Sequence, residues 1–204
     1  MKAMPTWKPK KKSEGSSKVS LRVDAMGDVK HAGLGGIVSV DGFDKGAEPG
    51  WNETSWFRYA WEMGNAPVEE LDEKQPRRIV AALEALALLV GLRILLRKGG
   101  EEVRHRMILA ETDSMVCALA SESWGTRSPL LQRIFKEIAI ECILNDVCFQ
   151  AIHIPGERNV VADGLSRMTW HPRFAEVVKD LIPDNKVNVH LNSSMWLQNT
   201  RWLQ

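Results

Sequence analysis

The chain has 204 residues, a formal net charge of +1 and three cysteines. That length suits one well-buried domain with flanking tails rather than two ordinary domains. The near-zero charge excludes a uniformly basic nucleic-acid binder. Three cysteines with no Cys-x-x-Cys pair exclude a disulfide framework and a zinc knuckle, and fit a reducing, intracellular setting, cytoplasmic or nuclear.

Residues 1–18 are rich in Lys, Ser and Pro, and Lys2, Lys8, Lys10, Lys11, Lys12 and Lys18 face a single acid, Glu14. Such a segment holds too little apolar surface to offset chain entropy and is expected to be a basic disordered leader or linker, able to add salt-sensitive attraction to phosphates. It carries no apolar run behind its lysines, so no secretory signal is expected.

Order is expected from Val19. Ser20 to Asp24 alternates as a strand does, and Gly33 to Val40 reads as a second strand softened by glycine. Asp41-Gly42 signals a reversal, and Trp56 to Met63 supplies a third, aromatic strand, making an antiparallel meander. Pro76 opens a long helix that stops at Gly99-Gly100, with proline just inside the start and glycine past the end. The helix is apolar nearly all round. Glu84 and Arg93 would each cost at least about 2.5 kcal/mol near a bilayer centre, so the helix reads as one sandwiched between protein layers, with no membrane partner.

Met107 to Ala110 predicts a fourth strand leading to Asp113, and Ser114 to Ala120 a short helix. Ser128-Pro129 is an N-cap and first-turn pair for a helix reaching about Asn145. Cys148 to Ile154 reads as a fifth strand, and Val160 to Met168 as a helix that Asn159 can cap. Phe174 to Leu181 is a further short helix in a C-terminal extension, residues 169–204, whose end contains Trp196 and Trp202. The expected fold class is α/β: a five-stranded mixed sheet, three antiparallel strands then parallel additions, flanked by helices.

Four acids stand out. Asp24 follows Leu21 and Val23, where a turn residue is the structural alternative. Glu84 interrupts a face of small apolar residues, where an unpartnered charge would be costly. Asp113 could be a helix N-cap, and Asp163 could merely complement a helix dipole. A fold that brought all four together would build an oxygen-only site for paired magnesium ions, since hard divalent cations prefer carboxylate and water ligands.

Asp24, Glu84, Thr112-Asp113-Ser114 and His153-Ile154-Pro155-Gly156, with Asn159, Ala162-Asp163 and Leu165-Ser166-Arg167, resemble the ribonuclease H domain of retroelement reverse transcriptases. The closing motif looks closest to gypsy-like and DIRS-like retrotransposons, and the resemblance spans about residues 19–168. It implies two Mg2+ ions, with Mn2+ as substitute, and hydrolysis of the RNA strand of an RNA/DNA hybrid. It further implies an adjacent polymerase domain. Asp24 would bridge the ions, Glu84 and Asp113 would hold the leaving-group ion, and Asp163 the ion that activates water, with the cations about 3.5 to 4 Å apart.

Gly27, Ser114, Arg127, Arg158, Asn159 and Arg167 are candidate nucleic-acid contacts, and Gly33, Gly35 and Gly36 would allow close backbone approach. Two positions depart from the pattern. The loop Pro155 to Arg158 lacks the histidine that many cellular relatives carry, which lowers the expected rate rather than denying activity. Met26 stands where these elements often place Ser. His153 is expected to serve the strand end, not the chemistry. A catalytically silent module of the same fold is the alternative, whereas an editing exonuclease would need Asp-x-Glu where this chain has Asp24-Ala25-Met26.

Overall fold

The computed structural model describes residues 19–40, 54–66 and 76–182. The basic leader, the Asp41-Gly42 reversal and the Trp196 and Trp202 tail lie outside the described residues. Strands β1 (Val19–Gly27), β2 (His31–Ser39) and β3 (Thr54–Glu62) precede helix α1 (Pro76–Gly99). Then come β4 (Met107–Thr112), α2 (Met115–Ser123), α3 (Pro129–Leu144), β5 (Cys148–His153), α4 (Val160–Arg167) and α5 (Pro172–Leu181).

The sheet order is β3-β2-β1-β4-β5. The first three strands pair antiparallel, whereas β4 joins β1 and β5 joins β4 in parallel. This is the mixed sheet expected from three strands in succession followed by strands separated by helices, since parallel neighbours need a crossover.

Side chains alternate across β1, so Leu21, Val23 and Ala25 enter the main core with α1, while Arg22, Asp24 and Met26 face the side where α4 lies. Helix α1 is buried from Ala82 to Leu95 between the sheet and α3. It is long and apolar enough to cross a membrane by composition alone, but its apolar surface is spent on the protein core. Arg93 is 4% exposed and is matched there by two acids of α3: its guanidinium donates to Glu137 Oε2 at 2.8 Å and to Glu141 Oε1 at 2.7 Å.

On the opposite face α4 rests on β2 backbone to backbone. A Cβ on Gly33 would lie 2.0 Å from the Ser166 carbonyl oxygen, and one on Gly35 2.4 Å from the Ser166 nitrogen. These glycines therefore admit a helix of this chain, where the sequence suggested an approach by substrate. Gly36 serves the core, because its Cβ would fall 2.5 Å from the Phe57 ring. The extension after Met168 folds back through Ile182: Trp170 stacks on His31 at 4.2 Å and donates its indole N–H to the Ala32 carbonyl, and Val178 and Ile182 close a second apolar cluster with Ile37, Val161 and Leu165.

Two boundaries differ from the sequence reading in an informative way. β1 runs three residues past Asp24, because its pairing with β2 continues to Gly27 although its pairing with β4 ends at Arg22. Helix α5 starts at Pro172, two residues before Phe174, which gives it a proline in the first turn.

Candidate active site

The parting of β1 from β4 creates the site. Arg22 pairs with Glu111 in the last rung, and beyond it Asp24 on β1 and Asp113 after β4 hang over an open sheet end. The N–H of Ala25, now free of a β4 partner, donates to Glu84 Oε1 at 3.2 Å, and the Thr112 hydroxyl donates to Glu84 Oε2 at 3.3 Å. Glu84 thus reaches the strand ends from α1 although it is 5% exposed. One oxygen each from Asp24, Glu84 and Asp113 lies within 4.8 Å of the others.

Asp113 is not the cap of α2. Ser114 takes that place, its hydroxyl accepting from the Cys117 N–H at 3.4 Å, which leaves the Asp113 carboxylate uncommitted to the helix. Ser114 also donates its own N–H to the Thr112 hydroxyl at 3.1 Å, holding the Thr112-Asp113-Ser114 bend.

Asn159 sits at the start of α4 but makes no side-chain cap bond; its amide donates to the Val23 carbonyl at 2.9 Å instead. Fully buried beside Asp24, it fastens the helix to β1. Asp163 follows in the first turn of α4. It is not among the three acids that meet, though it is near enough to act on Asp24, and its Oδ1 accepts from Arg167 Nε one turn on.

No protein-family model matches the chain, and no curated protein matches it either. Solved structures do. Ribonuclease H1 of the archaeon Halobacterium salinarum aligns with a TM-score of 0.51 at 17% identity, covering 74% of this chain and 96% of that one. The compost-derived LC11 ribonuclease H1, solved in complex with an RNA/DNA hybrid, gives 0.53 at 18% identity, covering 74% and 94%. The N-terminal ribonuclease H domain of a Mycobacterium tuberculosis protein gives 0.50 at 17%, covering 78% and 99%. The fold is that of ribonuclease H.

Within this ribonuclease-H-like frame the electrostatics are dominated by burial and crowding. Asp24 is 1% exposed, and burial, with Asp113 and Asp163 nearby, pushes its carboxyl up to about 8, against the pull of the Ser166 hydrogen bond and Arg167. Burial, then Asp24 and Asp113, drives Glu84 well above the usual carboxylate range despite its two donors. Without a cation Asp24 therefore keeps a proton at neutral pH, and Glu84 resists ionisation. Oxygen-only donors whose ionisation is held back by burial and then by mutual repulsion suit a hard divalent cation, which would offset both and favour release of the proton.

Several contributors were not legible as site residues. The Ser166 hydroxyl donates to Asp24 Oδ2 at 2.5 Å, reachable only because Gly33 and Gly35 bring α4 down onto the sheet. Arg22 forms the floor: its Nε donates to Glu111 Oε2 at 2.7 Å and a terminal nitrogen to the Arg158 carbonyl at 3.3 Å. An arginine two residues before the first acid was the one available signal. Of the other candidates, Arg127 and Arg158 are exposed, Gly27 packs against Leu83 of α1, and His153 is exposed at the end of β5.

Proposed function

We propose that this chain is a divalent-metal-dependent ribonuclease H that cuts the RNA strand of an RNA/DNA hybrid, as part of a retroelement reverse transcriptase. The observation that carries the reading is the meeting of Asp24, Glu84 and Asp113 at the open end of β1 and β4, in a fold shared with ribonucleases H1. One of those relatives is known with an RNA/DNA hybrid bound, which suggests the substrate class. The retroelement assignment, with a neighbouring polymerase domain, rests on the Ala162-Asp163 and Leu165-Ser166-Arg167 motif, and the intracellular setting on three cysteines without a Cys-x-x-Cys pair.

In this mechanism Asp24, Glu84 and Asp113 would hold Mg2+ or Mn2+, with Asp163 completing the set for a second ion. When bound, the ions supply an activated water and stabilise the attacking and departing oxygens of an in-line displacement. The chain's own part is positional. Ala25 and Thr112 fix both oxygens of Glu84, Ser166 fixes one oxygen of Asp24, and Asn159 ties the Asp163 helix to β1. The proton that Asp24 keeps at neutral pH would have to leave for a cation to be held, so cation binding should tighten as pH rises towards 8. The hybrid would lie across the sheet end, near exposed Arg158, whose carbonyl accepts from Arg22.

A silent module of the same fold is the second reading, favoured by Arg167, a cation already seated on Asp163. One experiment separates them: incubation of the full chain with RNA/DNA, RNA/RNA and DNA/DNA duplexes in Mg2+, Mn2+ or EDTA. The expected result is metal-dependent cleavage confined to the RNA of the hybrid, reduced about 100-fold or more in Asp113→Asn, as for loss of other transition-state stabilisers. Asp113→Asn should still bind the hybrid. No cleavage in either metal, or near-normal cleavage by Asp113→Asn, defeats the assignment.

A further inference from the structure

The pairing of Asp163 with Arg167 is more than a helix-surface ion pair. Acid and base stand one turn apart on α4 with the acid nearer the N-terminus, the favourable order, and Arg167 Nε donates to Asp163 Oδ1. The guanidinium is held from another direction as well, with its Cζ 5.7 Å from the centroid of the Phe174 ring on α5. Phe174 is placed there by the packing of α5 on α4, where Val178 lies against Gly164. Asp24 and Asp113 also act on Arg167, so its charge faces the acid cluster and not Asp163 alone. The arginine therefore holds one oxygen, Oδ1, of the carboxylate that the proposed function needs for a second cation.

We infer that Arg167 is an internal counter-ion which a divalent cation must displace from Asp163, a positioning residue that stabilises the metal-free site and sets the affinity for the second ion. This rests on the proposed function for the ion it competes with. The physical basis is competition for one ligand. While the guanidinium holds Asp163 Oδ1, that oxygen is not free and the carboxylate's charge is partly neutralised, so apparent affinity is scaled down by the fraction of molecules in which Oδ1 is free. The two side chains are 37% and 28% exposed, so solvent screens the pair and the competition is modest, about fivefold in affinity. Phe174 gives the displaced guanidinium a place to remain, so exchange needs no unfolding of α4. The fourth acid would then join the other three only when a cation arrives.

The test is calorimetric titration of the metal-free full chain with Mn2+, for the wild type, Arg167→Gln, Asp163→Asn and the double variant. Arg167→Gln should bind Mn2+ about fivefold more tightly while melting at a lower temperature in EDTA, a combination that a purely structural arginine would not give. In the Asp163→Asn background the same substitution should bring no gain, because the gain passes through that carboxylate. Unchanged or weaker Mn2+ binding in Arg167→Gln overturns the inference, and so does an equal gain in both backgrounds. Should Arg167→Gln not fold, Arg167→Lys carries the test: its single ammonium competes less well, so Mn2+ should bind more tightly than to the wild type, and equal or weaker binding overturns the idea. A wild-type chain that neither binds Mn2+ nor cuts the hybrid defeats the proposed function and this inference together. A wild-type chain that does both, with no gain in the variant, defeats this inference alone.

Discussion

Asp24→Asn should make the metal-free protein more stable while abolishing cation-dependent cleavage, and the stabilisation should grow with pH. Burial and two neighbouring acids move the Asp24 carboxyl from 3.8 to about 8. Between those values the folded chain keeps a proton that the unfolded chain has released, so rising pH favours unfolding. This contribution to stability is fully present below about 3.8, is lost progressively up to about 8, and changes no further above that. One such group is worth about 1.4 kcal/mol per pH unit, hence about 4 kcal/mol between pH 5 and pH 8.

Asparagine carries no proton to lose and can still accept the Ser166 hydroxyl through its Oδ1. Urea denaturation in EDTA at pH 5, 6, 7 and 8 reads the gap between wild type and variant. The gap should widen by about 1.4 kcal/mol per unit across that range. Glu84 shifts in the same direction, so the variant keeps a shallower slope of its own. A gap that stays constant with pH, or a variant less stable than wild type at pH 8, would refute the account of a buried, proton-retaining cluster.

Gly35→Ala should destabilise the fold by about 1 to 3 kcal/mol and weaken Mn2+ binding, because the new Cβ would press on the Ser166 nitrogen and, at 2.6 Å, on the Ala162 carbonyl, backbone that cannot swing aside. Gly125→Ala, whose nearest neighbour would be the Ser123 carbonyl at 3.8 Å, is the control and should be close to neutral in the same melts. Arg93→Met should cost about 3 to 5 kcal/mol by leaving Glu137 and Glu141 without their cation, with part recovered by adding Glu137→Gln. Chemical denaturation checks it, and cleavage per folded molecule should not change, since Arg93 lies away from the acid cluster.

Local pattern carried much of this molecule. Alternation in Ser20 to Asp24, the Ser128-Pro129 start of α3 and the Gly99 end of α1 all follow from short-range physics, and the elements fall within about two or three residues of those signals. An acid in a helix with no polar face could be read as buried with a purpose, and Glu84 is buried with two donors on it. The sequence misled where one residue type serves several physical ends. Asn159 has the chemistry of a cap but spends its amide on a strand carbonyl, and Gly33 and Gly35 have the freedom to admit a ligand but admit α4.

Strand and helix periods and capping chemistry are written in neighbouring residues, and they were enough to establish the order of elements and to single out the four acids. Which of those acids meet is a matter of packing. That depends on β1 outrunning β4 after Arg22, on glycines that let α4 lower Ser166 onto Asp24, and on an α5 that seats Phe174 against Arg167. Each of these is a contact between segments far apart in the chain, where the distance between two side chains is set by packing and not by any local pattern.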